Sequence, residues 1–226
     1  MHADEKWRVI ADQRRALADA DLDRPWLCSR WRVRDVAAHV ALTPRSPGLL
    51  SILGAAVRAR GDFDELNRAA AVAHADALGG GLAAELRAVA DDRHKPAITT
   101  RDNLVFDTMV HVQDVAVPLG REVAVPVDAA RMAADRVWRM GWPFWARRRL
   151  RGLELSATDT SWTRGHGEPV RGRILDLLLL LTGRTEAALP RLRGAGVERL
   201  RPSGTGSADH PDDGANRAST SAGGTT

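Results

Sequence analysis

Asp107 and His111 stand four residues apart in the segment Asn103-Leu-Val-Phe-Asp107-Thr-Met-Val-His111-Val-Gln-Asp114-Val-Ala-Val. On a helix that spacing places two side chains on one face, close enough to grip a single ion. At 100° per residue, Asn103, Asp107, His111 and Asp114 share a stripe about 80° wide. Leu104, Val105, Phe106, Met109, Val110, Val112, Val115 and Val117 fill nearly every other direction. A helix apolar around most of its circumference is a buried one. Its polar stripe must then face a cavity or partner groups inside the protein, where an unpaired carboxylate is costly and a bound cation removes the cost. An i,i+4 Asp–His pair also occurs as a plain surface ion pair, and spacing alone leaves that reading open.

A third ligand has to come from another element, and His39 is the best placed. It flanks the Val33, Val36 and Val40 stripe of a second amphipathic segment, Trp31-Arg-Val33-Arg-Asp35-Val-Ala-Ala-His39, which lets it point toward the interior. Two histidines and one carboxylate leave a coordination position open, as catalytic rather than structural sites do. Zinc fits this donor set first; nickel, cobalt and iron also accept it.

The elements that must position these residues read as helices up to about Arg149. The periodicity predicts helices over 3–20, 33–42, 49–78 with a break near Gly61, 82–90 and 101–117. A further helix starts at Asp128, a good N-cap, and stops at about Trp142 before Pro143. Several helices with short connections predict an antiparallel bundle. After Arg149 the pattern changes. Leu153 and Leu155 alternate with polar neighbours, Ser161-Trp162-Thr163 forms a second short strand, 165–169 reads as a loop, and 171–182 as an apolar helix with Leu177–Leu181. The expected organisation is a helical bundle over 1–149, a small α+β domain over 150–201, and a disordered tail over 202–226, which contains no aliphatic residue larger than Ala and no aromatic one.

Composition narrows the function classes. One cysteine in 226 residues excludes an internal disulfide framework. The apolar runs at 49–57 and 174–181 are far short of the roughly 20 residues that span a bilayer. The first residues lack a signal-peptide pattern, so a soluble cytoplasmic protein with no membrane partner is expected. The sequence pI of about 10.3 accompanies a net charge of only +4. Lysine occurs only at Lys6 and Lys95, and arginine makes up the rest of the basic residues. Arginine does not deprotonate at ordinary pH, so the high pI reflects residue choice more than charge excess. The cluster Arg147-Arg148-Arg149 with Arg151 follows Trp142, Phe144 and Trp145. Such a patch can stack nucleic acid, but the sequence favours a solvated helix end whose tryptophans pack inward, and nucleic acid is not an expected partner.

With these residues in view, the chain resembles the mycothiol-dependent maleylpyruvate isomerase family of actinobacteria, within the DinB-like metal-binding bundle superfamily. Leu27-Cys28-Ser-Arg-Trp31-Arg-Val33-Arg-Asp35-Val36-Ala-Ala-His39 is similar to its first signature, Cys-Pro-Gly-Trp-(Ser/Thr)-Val-Arg-Asp-Val-x-x-His. Val110-His111-Val-Gln-Asp114-Val-Ala, ending in Pro118-Leu-Gly120-Arg121, is similar to its second, His-Gly-x-Asp-(Ile/Leu)-Ala with Leu-Gly-Arg. Asn67 matches a recurrent asparagine between them. Thr158-Asp159, Trp162-Thr163, Val170-Arg171-Gly172 and Gly183-Arg184 resemble the small appended domain.

The resemblance implies a mainly α fold, a DinB-like four-helix bundle followed by a small α+β domain. It implies His39, Asp107 and His111 as ligands to a divalent metal, with zinc first, and mycothiol as the thiol cosubstrate. The expected partners are therefore that small-molecule thiol and an electrophile, with room for a homodimer. Arg184 matches an arginine that could hold a substrate carboxylate, or else caps a helix. The implied activity is S-transfer or isomerisation by a metal-activated thiolate; the alternative is a non-catalytic metal-binding or regulatory member. Asp107 stands where the family usually has the longer Glu, Arg32 replaces a Ser/Thr N-cap, and Ser29-Arg30 replaces Pro-Gly. Asp35 and Asp114 read as a helix-start group and a hydrogen-bonding group behind the ligands. Cys28 reads as a buried structural thiol, and His74, His94 and His166 as loop or surface residues without partners.

Overall fold

The computed structural model describes residues 1–22, 32–45, 63–95 and 99–201, with side chains at all of these except 45 and 63–67. The expectations for Cys28, for the apolar run 49–57, for the Asn67 side chain and for the tail beyond 201 lie outside this set. The described chain is mainly helical, with one small sheet near its C-terminal end. No helix among the described residues is long and apolar enough to cross a membrane.

The helices are α1 (Ala3–Ala18), α2 (Val33–Leu42), α3 (Phe63–Leu78), α4 (Leu82–Ala88), α5 (Arg101–Ala116), α6 (Val127–Arg139), α7 (Ala146–Arg149), α8 (Ile174–Leu181) and α9 (Thr185–Ala188). α2 spans the residues expected of it. α6 differs at both ends: it begins at Val127, so Asp128 is not the N-cap, and it stops at Arg139. Pro126 takes the cap position, which its fixed φ suits, and Asp128 sits in the first turn where its charge favours the helix dipole. Helix α5 packs against α1, α2 and α6, which makes it the central element.

Two buried clusters flank α5. Phe106, Met109 and Val110 join Trp7, Ile10, Ala133 and Val137 in one; Val112 and Val115 join Leu17, Val36, Val40, Leu82 and Leu86 in the other. The first cluster continues through Leu150, Leu155, Trp162, Val170 and Leu177–Leu181, so helices before residue 149 and the sheet region after it share one core. Fully burying five leucines contributes on the order of 10 kcal/mol of transfer free energy before entropy is counted.

The sheet has three strands, not two. β1 (Leu153–Ala157) lies between β2 (Thr163–Gly165), antiparallel to it, and β3 (Glu168–Gly172), parallel to it. The stretch 168–172, expected as loop and helix start, is strand because Val170 pairs with Leu155 and buries its side chain. Pro169 reads as a loop residue, yet β3 is an edge of the sheet, where a missing N–H costs little. Gly167 (φ +124°) is the turn that permits this: a Cβ there would lie 2.2 Å from the Gly152 carbonyl oxygen. The apolar helix accordingly begins at Ile174, whose N–H donates to Asp159 Oδ1 at 2.8 Å.

Candidate metal centre

α5 starts on Thr100, whose hydroxyl accepts from the Asn103 N–H at 3.2 Å. From Asn103 to Ala116 the residues that keep partial exposure are Asn103, Asp107, His111 and Asp114; every other residue is buried. The stripe read from the sequence is therefore an accessible line between two buried faces. α2 brings His39 to this line. Its start is held by Asp35, which accepts from the Arg32 N–H at 2.9 Å and pairs with the Arg32 guanidinium at 2.8 Å. Arg32 also reaches Asp76 at 2.8 Å, so the position that lacks the usual Ser/Thr cap gains an ion-pair clasp to α3.

His39 Nε2 lies 3.5 Å from Asp107 Oδ2, and His111 Nε2 lies 3.5 Å from Asp107 Oδ1. One ligand atom from each of the three residues lies within 4.8 Å of the other two. The two imidazole rings meet edge-on, with centroids 4.8 Å apart and planes at 71°. A tetrahedral ion with bonds of about 2.0–2.1 Å sets its ligand atoms about 3.4 Å apart, close to both of these separations. Side-chain exposures of 21% for His39, 33% for Asp107 and 18% for His111 leave one side of the group accessible. Two nitrogens and one oxygen, gathered and open on one side, fit a divalent metal with a vacant position for a further ligand.

Behind the three residues runs a supporting chain. Asp114 Oδ2 lies 3.1 Å from His111 Nδ1, and Arg184 grips Asp114 with Nε on Oδ1 at 3.0 Å and Nη2 on Oδ2 at 2.8 Å. Arg184 Nη1 donates to the Thr182 carbonyl at 2.9 Å. A carboxylate on Nδ1 fixes the tautomer that leaves Nε2 to coordinate, and it makes the ring more basic. Arg184 owes its place to the end of α8. Gly183 turns left-handed at φ +88°, and the Arg184 N–H returns to the Leu179 carbonyl at 2.8 Å, closing a Schellman turn.

The charges are strongly coupled. Burial alone would raise the Asp107 carboxyl, but the charge and hydrogen bond of His111, and then His39, hold it far below the usual carboxylate range. Burial alone would lower His111, but Asp107 and then Asp114 push it up to about 9. Burial would likewise raise Asp114, which hydrogen bonds from His111 and Arg184 hold at about 2. In the absence of a cation the group is thus an imidazolium between two carboxylates, and a divalent ion would take the proton's place.

Other residues singled out by sequence stand as follows. His74 is not partnerless: its Nε2 lies 2.7 Å from Glu85 Oε2 between α3 and α4. His94 and His166 are exposed. The tryptophans of the Arg147 cluster do not pack inward. Trp142 and Trp145 are 62% and 53% exposed, while Phe144 is the aromatic that reaches the core, edge-on to Phe106. Trp145 takes the left-handed backbone at φ +46°. Two of the cluster's arginines brace the fold. Arg147 donates to the Trp138 carbonyl, and Arg149 donates to the carbonyls of Phe144, Leu180 and Leu181.

Sequence reasoning passed over Arg136. This half-buried side chain of α6 donates from Nε to Asn103 Oδ1 at 2.9 Å, at the start of the accessible line. Its only signal was its position beside Val137 on the flank of an amphipathic helix.

The family model described as Mycothiol maleylpyruvate isomerase N-terminal domain matches residues 3–116. No curated protein and no solved structure matches the chain.

Proposed function

Because the chain belongs to the mycothiol maleylpyruvate isomerase N-terminal domain family, we propose that it is a metal-dependent enzyme that joins a small thiol, mycothiol, to an electrophile in S-transfer or isomerisation. The observation that carries this reading is the meeting of His39, Asp107 and His111 on one accessible line with Asp114 behind His111. We read the helices before residue 150 as the DinB-like antiparallel four-helix bundle of that family, residues 150–201 as a small α+β unit built onto it, and the protein as cytoplasmic.

His39, Asp107 and His111 would hold the ion, with zinc the first expectation for this donor set. Such an ion, when bound, keeps a thiol ionised at neutral pH and so supplies the nucleophile. The protein does the rest. Asp107 is one methylene shorter than Glu and brings its carboxylate close to α5, where both histidine nitrogens meet it. Asp114 keeps Nδ1 of His111 protonated and the ring in plane. The Arg184 fork is committed to Asp114 and its remaining nitrogen to Thr182, which supports a positioning role through Asp114 rather than a grip on substrate.

The decisive test is metal content by elemental mass spectrometry, on wild type and on His39→Ala, Asp107→Ala and His111→Ala, purified without a polyhistidine tag. About one ion per folded chain, lost in each variant, followed by thiol consumption with mycothiol and an electrophile panel, is the expected result. Folded wild type that takes up no ion would refute the catalytic reading.

A further inference from the structure

Three half-buried arginines in this protein are matched with carboxylates, Arg32 with Asp35, Arg164 with Asp135 and Arg184 with Asp114, while Arg14 and Arg34 donate to backbone carbonyls. Arg136 is half-buried too, but its hydrogen-bond partner is the neutral amide of Asn103. Among the described residues no carboxylate oxygen lies within 4.0 Å of it, and Nη1 and Nη2 carry no hydrogen bond. A half-buried guanidinium whose two terminal nitrogens are uncommitted within the described chain can take an anion from outside it in a charge-assisted, bidentate contact.

Its location says which one. Asn103 and Asp107 are one helical turn apart on α5, about 6 Å along the axis, and both belong to the accessible line. The guanidinium therefore stands one turn from the ligand group, on the same line. Asn103 suits this task as Asp would not. Its carbonyl oxygen takes Nε and orients the fork, yet it adds no charge, so the two terminal nitrogens stay free to make a bidentate contact. One guanidinium neutralises one negative charge. That matches a carboxylate rather than a phosphate dianion, which needs more donors.

We propose that Arg136, oriented by Asn103, is an anion-binding residue that holds a carboxylate of the substrate about one helical turn from the metal centre. The substrate is then a small molecule with a carboxylate a few bonds from the carbon that meets the thiol. This deepens the reading above and rests on it for where the metal lies and for the thiol chemistry.

Succinate is the probe, titrated calorimetrically into the full-length, zinc-loaded protein, with succinamide as its neutral counterpart. Wild type binds succinate. Arg136→Met, which keeps the aliphatic stem, weakens binding by about tenfold or more and leaves succinamide and metal content unchanged. Arg136→Lys retains part of the affinity. Asn103→Asp keeps Arg136 but supplies it with a carboxylate, and it weakens succinate by a similar factor even if Arg136→Met proves unstable. Succinate that binds Arg136→Met or Asn103→Asp as tightly as wild type, or that does not bind wild type at millimolar concentration, overturns the proposal. If wild type takes up no metal, the metal reading fails by itself, and the same titration of the metal-free protein still decides for or against Arg136.

Discussion

Replacing Asp114 tests whether the supporting chain behind His111 sets metal affinity, and the geometry grades the result. Oδ2 serves both His111 Nδ1 and Arg184 Nη2, while Oδ1 serves Arg184 Nε. In Asp114→Asn the amide oxygen can take the Oδ2 place and keep His111 in plane, but the amide NH2 then faces the Arg184 Nε–H. The histidine stays oriented and loses the charge that makes it basic. Such outer partners contribute about 10- to 100-fold to metal affinity, and the amide falls at the lower end, about tenfold or 1.4 kcal/mol. Asp114→Ala also removes the orienting bond and falls near the upper end, about 100-fold. Arg184→Met is milder than either, because Asp114 still faces His111. The assay is chelator competition at neutral pH on protein loaded with one ion, with thermal unfolding as a check on fold. The double variant Asp114→Ala/Arg184→Met should bind metal as Asp114→Ala alone does, since Arg184 acts through the carboxylate. Full additivity, or Asp114→Ala with wild-type affinity, would refute the reasoning.

Two further outcomes follow from charges and backbone geometry. His111 rises from 6.5 to about 9 in the folded, metal-free protein, so its contribution to stability is complete below pH 6.5 and is lost as pH climbs toward 9. Asp114 falls from 3.8 to about 2 and Asp107 falls further, so their contributions are present above pH 3.8 and are lost as pH drops. Scanning calorimetry of metal-free protein should therefore show a plateau between these limits and an alkaline decline that His111→Ala abolishes; a flat midpoint from pH 6.5 to 9 would count against it. In the sheet, Gly167→Ala puts a Cβ 2.2 Å from the Gly152 carbonyl oxygen and should cost about 3 kcal/mol or more. Gly183→Ala meets open space at φ +88° and should cost only the left-handed penalty of about 1–2 kcal/mol. Equal losses in urea denaturation would show that the close approach at Gly167 is relaxed in solution.

How far the sequence reaches depends on the range of each interaction. α2 is legible end to end because its apolar stripe and Pro44 are local signals. The polar line on α5 is legible because helical periodicity alone puts four residues on one side, and burial of their apolar neighbours follows from the side-chain types; burial of Thr108 and Gln113 does not. β3 is not legible, because Pro169 and two flanking glycines are loop signals, and only the pairing of Val170 with Leu155 makes the segment a strand. Trp142 and Trp145 mislead for a related reason: aromatic type predicts burial, yet in the fold Phe144 takes the core position between them. Arg184 reads as a substrate anchor or a helix cap, and its pairing with Asp114, seventy positions earlier, is visible only in the fold. The Asn103–Arg136 pair is equally distant and carries no motif at all.

Consider finally that α6 lies alongside α5 and that the family match ends at Ala116, the last residue of α5. The ligand-bearing side chains and the arginine beside them belong to separate pieces of chain. Position 132 of α6, one turn before Arg136, is a half-buried methionine of similar reach. Exchanging the two residues would slide the positive charge about 6 Å along the helix axis and leave the proposed coordinating atoms untouched. On the proposed reading, α6 is a ruler laid against a fixed metal centre, and substrate length can be rewritten there without disturbing the chemistry.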